Sequence, residues 1–258
     1  MNKLSIIATG VLTTTLIGCG GAGGGSSSSG IKINDELKGP ETQPDLTTVD
    51  SNELTVNSRR VGSGNDSFET WTFRNPSGGH YIVNVTSASG DVNPSITNYD
   101  ARANLGTSTD RTMVFSSGVN SVTSFMDLVD AGDSYEFILT SLNRETAKLT
   151  GNEYLVFLDT EYEEDCESYY DYETYSAYLV INWDEGYLKD GWEETPFTDV
   201  TGNAVTIEYL DSETYLNGTA EFTVDPENGS VEGTDVWSYS DDSDNCTYTE
   251  TLSGQIIL

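Results

Sequence analysis

The chain has 258 residues, with 43 acids against 11 bases, a formal charge of −32, one histidine and three cysteines. A chain this acidic is excluded as a nucleic-acid partner, because phosphate binding relies on Lys and Arg to displace counterions. One histidine excludes the two- and three-histidine sites of catalytic zinc. Apolar residues make up 36% and aromatics 10% of the chain, so at least part of it can bury a core.

The start of the chain reads as an address. Met1-Asn2-Lys3 is short and positively charged, and Leu4 to Ile17 is an apolar, Thr-rich stretch of 14 residues. That is shorter than the roughly 20 residues of a bilayer span but suits a signal-peptide core. It ends in Leu16-Ile17-Gly18-Cys19, which resembles the lipobox of bacterial lipoproteins. The resemblance implies a signal peptide over 1–18, cleavage before Cys19, and acylation of that cysteine, palmitate included. Each buried CH₂ contributes roughly 0.8 kcal/mol, so several acyl chains hold a protein stably on a membrane. Gly20 follows where an Asp would imply retention in the inner membrane, so the resemblance implies the outer membrane. The Gly/Ser run up to Gly30 is a flexible tether. Residues 31–53, polar and with Pro40 and Pro44, read as further linker, so that 19–53 forms one lipidated, flexible stretch. A short strand near Ile31-Lys32-Ile33 is the one interruption.

From residue 54 onward, alternation and Thr/Tyr/Val content replace helical periodicity, so the fold class is all-β. Residues 54–158 present strand patterns at Ser67–Phe73, His80–Thr86, Ser95–Tyr99, Thr112–Phe115, Ser121–Asp127, Ser134–Thr140 and Tyr154–Leu158. Turn signals such as Asn75-Pro76-Ser77-Gly78-Gly79 separate them. Such a series predicts an antiparallel β-sandwich. The stretches around Asp66-Ser67-Phe68, Trp71 and Phe73, then Gly79 to Val85, Asn93 to Asp100, and Ala131 to Leu139 resemble the bacterial pre-peptidase C-terminal domain. That resemblance covers about residues 60–142. It implies a jelly-roll-like accessory module of the kind attached to secreted enzymes.

Residues 159–258 form a second module. Its strand patterns are Tyr175–Asn182, Gly186–Lys189, Glu193–Asp199, Ala204–Tyr209, Tyr215–Val224, Ser230–Ser240 and Thr247–Ile257. The turns Gly202-Asn203, Asn217-Gly218 and Asp225 to Gly229 predict an antiparallel meander that closes into a small barrel or a sandwich. The run Gly229 to Ser240, with Cys246 six residues on, resembles the ending of lipocalin-like small β-barrels of bacterial lipoproteins.

With Cys19 lipidated, Cys166 and Cys246 remain, and in an oxidising compartment they are expected to form a disulfide. They lack the Cys-x-x-Cys spacing and the histidine of a redox or metal pair. Charge is placed unevenly. Residues 54–158 hold 11 acids and 7 bases, while residues 159–258 hold 26 acids and one base, Lys189. The densest run, Asp159 to Glu173, has eight acids in 15 residues. A solvated face is the plain reading of such a run. The functional reading is a divalent cation, calcium by ligand type, on Asp159, Glu161, Glu163, Glu164 and Asp165, or on Asp241, Asp242 and Asp244. Neither run follows an EF-hand pattern.

Catalytic constellations are absent from the sequence. His80 stands alone in a strand pattern, read as a surface position at a strand edge, and no Gly-x-Ser-x-Gly elbow, P-loop or dinucleotide fingerprint exists. Carboxylates are the only feasible catalysts. Trp183, Tyr187 and Trp192 lie close together; the plain reading is that they fill a small barrel core, and the functional one is that they stack on sugars. The expectation is a lipid-anchored envelope protein with a non-enzymatic binding or structural role, its partners the membrane and then cations, glycans or a basic protein. The alternatives are a carboxylate hydrolase or its accessory subunit, and a small-ligand carrier should the second module be hollow.

Overall fold

A computed structural model describes residues 31–258, apart from 52, 64–67, 76–77, 91–92, 98–102, 107–108, 116–117, 128–132, 191–192, 212–215 and 241–244. It is all-β, as the alternation predicts. The strands fall into three sheets and the chain into two compact units.

The first unit, residues 38–151 with 176–178 and 258, has ten strands within 38–151. They are β1 (Thr47–Thr48), β2 (Glu53–Leu54), β3 (Ser58–Ser63), β4 (Phe68–Asn75) and β5 (Gly79–Ser89), then β6 (Asn93–Thr97), β7 (Ala103–Gly106), β8 (Asp110–Phe115), β9 (Gly118–Asp127) and β10 (Ser134–Ser141). A six-stranded sheet runs β1-β3-β10-β5-β8-β7, and a four-stranded sheet runs β2-β4-β9-β6. The two face each other across one apolar core, which makes the unit a sandwich. Trp71 of β4 stacks on Phe137 of β10 at 5.1 Å and meets Tyr135 edge-on at 5.9 Å. Phe73 meets Tyr81 and Phe115 in the same way. Burial of rings of this size is the main stabilising term here, at roughly 25 cal/mol per Å² of apolar surface removed from water. Tyr135 can lie across its partner strand only because its register partner is Gly62, where a Cβ would come within 2.4 Å of the ring. His80 belongs to β5, an interior strand of its sheet, and is half-buried, so it is not the strand-edge surface residue expected.

The second unit is built on a nine-stranded curled sheet, a half-barrel. Its strands are β11 (Glu153–Cys166), β12 (Tyr170–Asn182), β13 (Tyr187–Asp190), β14 (Glu193–Pro196), β15 (Asp199–Thr201), β16 (Ala204–Asp211), β17 (Leu216–Val224), β18 (Ser230–Ser240) and β19 (Asn245–Ile256). They stand in the order β14-β13-β12-β11-β19-β18-β17-β16-β15. The chain thus passes from one edge of the sheet to the other through Phe197 and Thr198 alone. Phe197 packs against Trp183, just beyond β12, and Phe222 of β17, at 5.9 and 6.2 Å between ring centroids. Gly233 of β18 lies tight against its register partner Phe222 on β17. A Cβ there would lie 2.4 Å from the Glu221 carbonyl and 2.5 Å from the Phe222 side chain.

Three sequence expectations shift. Tyr154–Leu158, assigned above to the first module, is the first half of β11, and the unit boundary falls at residues 151/152 rather than 158/159. The acidic run Asp159–Asp165 continues the same strand without a break. Residues 31–53 do not form the expected linker with a short strand at its start: 31–37 belong to the second unit, with no strand at residues 31–33, and 38–53 belong to the first, where they supply β1 and the start of β2. Ile31 and Ile33 are buried in its core beside Trp183, Val224 and Ile256, and the Asn34 amide donates to the Pro226 carbonyl at 2.9 Å. Two isoleucines in i, i+2 register need one apolar face to cover, and the concave side of the half-barrel provides it.

Candidate functional site

Strand phase sorts the residues of the second unit into two faces. On β11, Asp159, Glu161, Glu163 and Asp165 are exposed, while Thr160, Glu164 and Cys166 are buried and Tyr162 is half-buried. The five acids proposed as a cation site therefore do not converge. Four stand on the outer face, with Ser253, Thr251, Thr249 and Thr247 of β19 opposite them in register. The fifth, Glu164, points the other way. Successive outward acids on one strand stand nearly 7 Å apart, too far to wrap one calcium ion with six to eight oxygens. Asp241, Asp242 and Asp244 lie outside the described residues, as does Trp192. Cys19 does too.

The aromatic candidates separate as well. Trp183 is a core residue, packed on Phe197 and Phe222, with its indole N–H unpartnered among the described residues. Tyr187 is half-buried. Its hydroxyl donates to the buried Glu153 at 2.9 Å, and burial pushes its pKa up. Trp183, 3% exposed, offers no open ring face for a sugar. Cys166 and Cys246 are register partners on β11 and β19 and form the expected disulfide, with Cα atoms 4.1 Å apart.

The inner face holds a cluster that sequence reasoning did not single out. Across β11, β19 and β18, one row reads Tyr162, Glu250, Asp235 and the next Glu164, Tyr248, Trp237. Glu250 is 1% exposed, Asp235 2% and Glu164 5%. Trp237 and Tyr248 stack at 4.8 Å with planes 9° apart, and Tyr162 leans on both at 6.1 and 6.3 Å. Tyr175 donates its hydroxyl to Glu250. Tyr162 donates to Glu164 at 3.2 Å, and Tyr169 donates to the other oxygen of the same carboxylate. Burial, then the charge of Glu164, pushes the Tyr162 hydroxyl far above its ordinary range, so it stays a donor.

Glu250 is the unusual member. Burial pushes its carboxyl up to about 7, with the Asp235 charge adding to the rise and the Tyr175 hydrogen bond opposing it. Its Oε2 is buried without a hydrogen-bond partner among the described residues. A carboxyl poised near neutrality beside a second carboxyl can hold or release a proton, or neutralise a cation. Phase is the signal that could have located it. Cys246, Tyr248, Glu250, Leu252 and Ile256 share one face of β19, as do Val231, Asp235 and Trp237 on β18.

Among the described residues, the one His/Cys/Asp/Glu trio close enough to hold a metal is Glu164 with the two cysteines, whose sulfurs are already spent in the disulfide. No family model, curated protein or solved structure matches the chain.

Proposed function

We propose that the protein is a lipid-anchored envelope lipoprotein with a non-enzymatic binding role, its acidic unit docking a basic partner. One observation carries the docking: β11 presents Asp159, Glu161, Glu163 and Asp165 in line on an exposed face backed by Ser and Thr of β19. Residues 159–258 contribute a single base against 26 acids. That base, Lys189, lies 3.6 Å from Glu194. Fields of this kind steer oppositely charged partners and repel anionic ones. The first unit, whose strand patterns resemble the pre-peptidase C-terminal module, serves as the companion domain in this reading. The anchor rests on the lipobox-like Leu16-Ile17-Gly18-Cys19.

Two measurements test the reading. In fractionated cells, the full-length chain partitions with the membrane and Cys19→Ser moves to the soluble fraction; membrane retention by that variant contradicts the anchor. On an immobilised lysine-rich peptide, the protein is retained at low salt and released as salt rises, since exposed charges are screened over about 10 Å at 0.1 M. Changing Asp159, Glu161, Glu163 and Asp165 together to their amides should weaken retention. The same charge change at the exposed Glu185, Asp199, Glu208 and Glu227 should weaken it less. Equal loss from both sets would mean that overall charge alone attracts the peptide, and would refute a β11 docking face.

A further inference from the structure

The outer face of the second unit carries more than charge. Along β11, Glu161, Glu163 and Asp165 point outward at alternate positions. On one side of them Thr251, Thr249 and Thr247 of β19 stand in register. On the other side lies β12, joined to β11 by a tight hairpin that the Cys166 N–H closes on the Tyr169 carbonyl at 2.9 Å. β12 opens with Tyr170 and Tyr172, two residues apart and so on one face, 61% and 47% exposed. The Tyr170 hydroxyl is pushed above its ordinary range, by desolvation first and then by the neighbouring Glu163 and Asp165 carboxylates. The ring therefore stands among the β11 acids. Of the six large apolar side chains exposed among the described residues, three are tyrosines of this hairpin. Exposed aromatic surface is thus concentrated beside the acidic row rather than scattered singly.

Spacing, charge and rings together select a partner. Successive outward positions on a strand lie nearly 7 Å apart, and so do alternate side chains of any extended peptide. Carboxylates at that interval match cations carried at every second position of an extended segment. The Cys166–Cys246 bond and the β11–β19 ladder hold the row in place, so little of it has to be ordered when a partner binds. The rings decide which cation fits. A guanidinium is planar, forks onto a carboxylate with two N–H groups and stacks flat on an aromatic face, whereas an ammonium is a strongly hydrated point charge. We propose that Glu161, Glu163 and Asp165 with Tyr170 and Tyr172 form a docking face for an extended protein segment that carries arginine at every second position. The carboxylates accept the guanidinium N–H groups, and the tyrosine rings stack on the guanidinium planes. The assignment rests on the docking role proposed above and names the partner chemistry of that same face.

The test uses the purified full-length protein and three labelled peptides of equal length and charge, followed by fluorescence anisotropy at about 0.1 M salt. One peptide alternates arginine with threonine, one alternates lysine with threonine, and one has its arginines in a single block. The alternating arginine peptide should bind about tenfold tighter than the alternating lysine peptide, and tighter than the blocked one. Tyr170→Leu combined with Tyr172→Leu should bring the alternating arginine peptide down to the level of the lysine peptide and leave the latter nearly unchanged. Glu163→Gln should weaken both, and each variant's melt is recorded to show that it is folded. Equal affinity for all three peptides, still lost in the quadruple β11 amide variant, would overturn the arginine assignment while leaving the charge-led docking of the proposed function standing. No binding of any peptide would overturn both. An arginine preference that survives in the folded double tyrosine variant would also overturn the assignment, as would a polyamine of equal charge that competes as well as the alternating arginine peptide.

Discussion

Replacing Glu250 with Gln should flatten the pH dependence of stability between about pH 4.5 and 7, by about 3 kcal/mol relative to the parent. The sign follows from where the proton sits. The folded-state carboxyl titrates near 7 and the unfolded one near its ordinary 4.5. Below 4.5 both states hold the proton, and burial of the neutral acid carries no ionic cost. Between the two values the unfolded chain has released its proton while the folded one keeps it, so stability falls as pH rises. Above 7 the folded state must carry a charge that its surroundings solvate poorly, and the deficit stays constant. Gln has the same shape and does not titrate. The remaining acids repel each other in both proteins, so they cancel in the difference. Urea unfolding followed by tryptophan fluorescence at about pH 5 and pH 8 measures it. Parallel curves for the two proteins would show that Glu250 is not the buried, uncompensated acid described above.

The second large effect belongs to the disulfide. The Cys166–Cys246 bond closes a loop of 80 residues, for which the chain-entropy account gives about 4–5 kcal/mol of stabilisation through the unfolded state. The double variant Cys166→Ser with Cys246→Ser should lose about that much. The bond also fixes the end of the β11–β19 ladder, next to Glu164 and Tyr248. Loosening it should therefore disturb the inner-face cluster before the apolar half of the unit. In a unit of this size 1 kcal/mol corresponds to about 4–8 °C, so the melting temperature should fall by more than about 15 °C. A melt unchanged by the double substitution would show that the ladder alone holds the two strands.

Both effects arise on strands whose nature was only partly legible. The all-β class and most strands follow from alternation and turn residues, because period-2 burial leaves that trace directly in sequence. β19 and β18 were legible nearly to the residue. Strand β11 was not, because its outward positions are all acidic after residue 158, and a run of acids reads as a solvated segment. The alternate positions, Thr160, Tyr162, Glu164 and Cys166, show that it is a strand with one wet face. Strand β3 was missed for a similar reason, since Arg59, Arg60 and Gly62 hide a six-residue strand without an apolar run. Ile31 and Ile33 were expected to form a short strand, which they do not, and their place in the second unit was not legible, because nothing local in a sequence says which distant face a segment will cover. The inner carboxylates illustrate the same limit. Their phase is visible, but that they share one buried face becomes a local fact only once β11, β18 and β19 lie side by side.

The way the nine-stranded sheet ends has a bearing on crowding. Its two edges are the shortest kind of strand, β14 with four residues and β15 with three. Unpaired edge backbone is a template on which a neighbouring chain can add a strand, and the hazard grows with edge length and local concentration. Here the exposed template is only a few residues long. β14 carries Glu193, Glu194 and Pro196, two like charges to repel a copy of itself and a residue with no N–H to offer. Proteins tethered by lipid to one leaflet meet their own copies far more often than free ones do. In the layer that the proposed lipid anchor would create, edges this brief and this acidic would oppose zipping into continuous sheets.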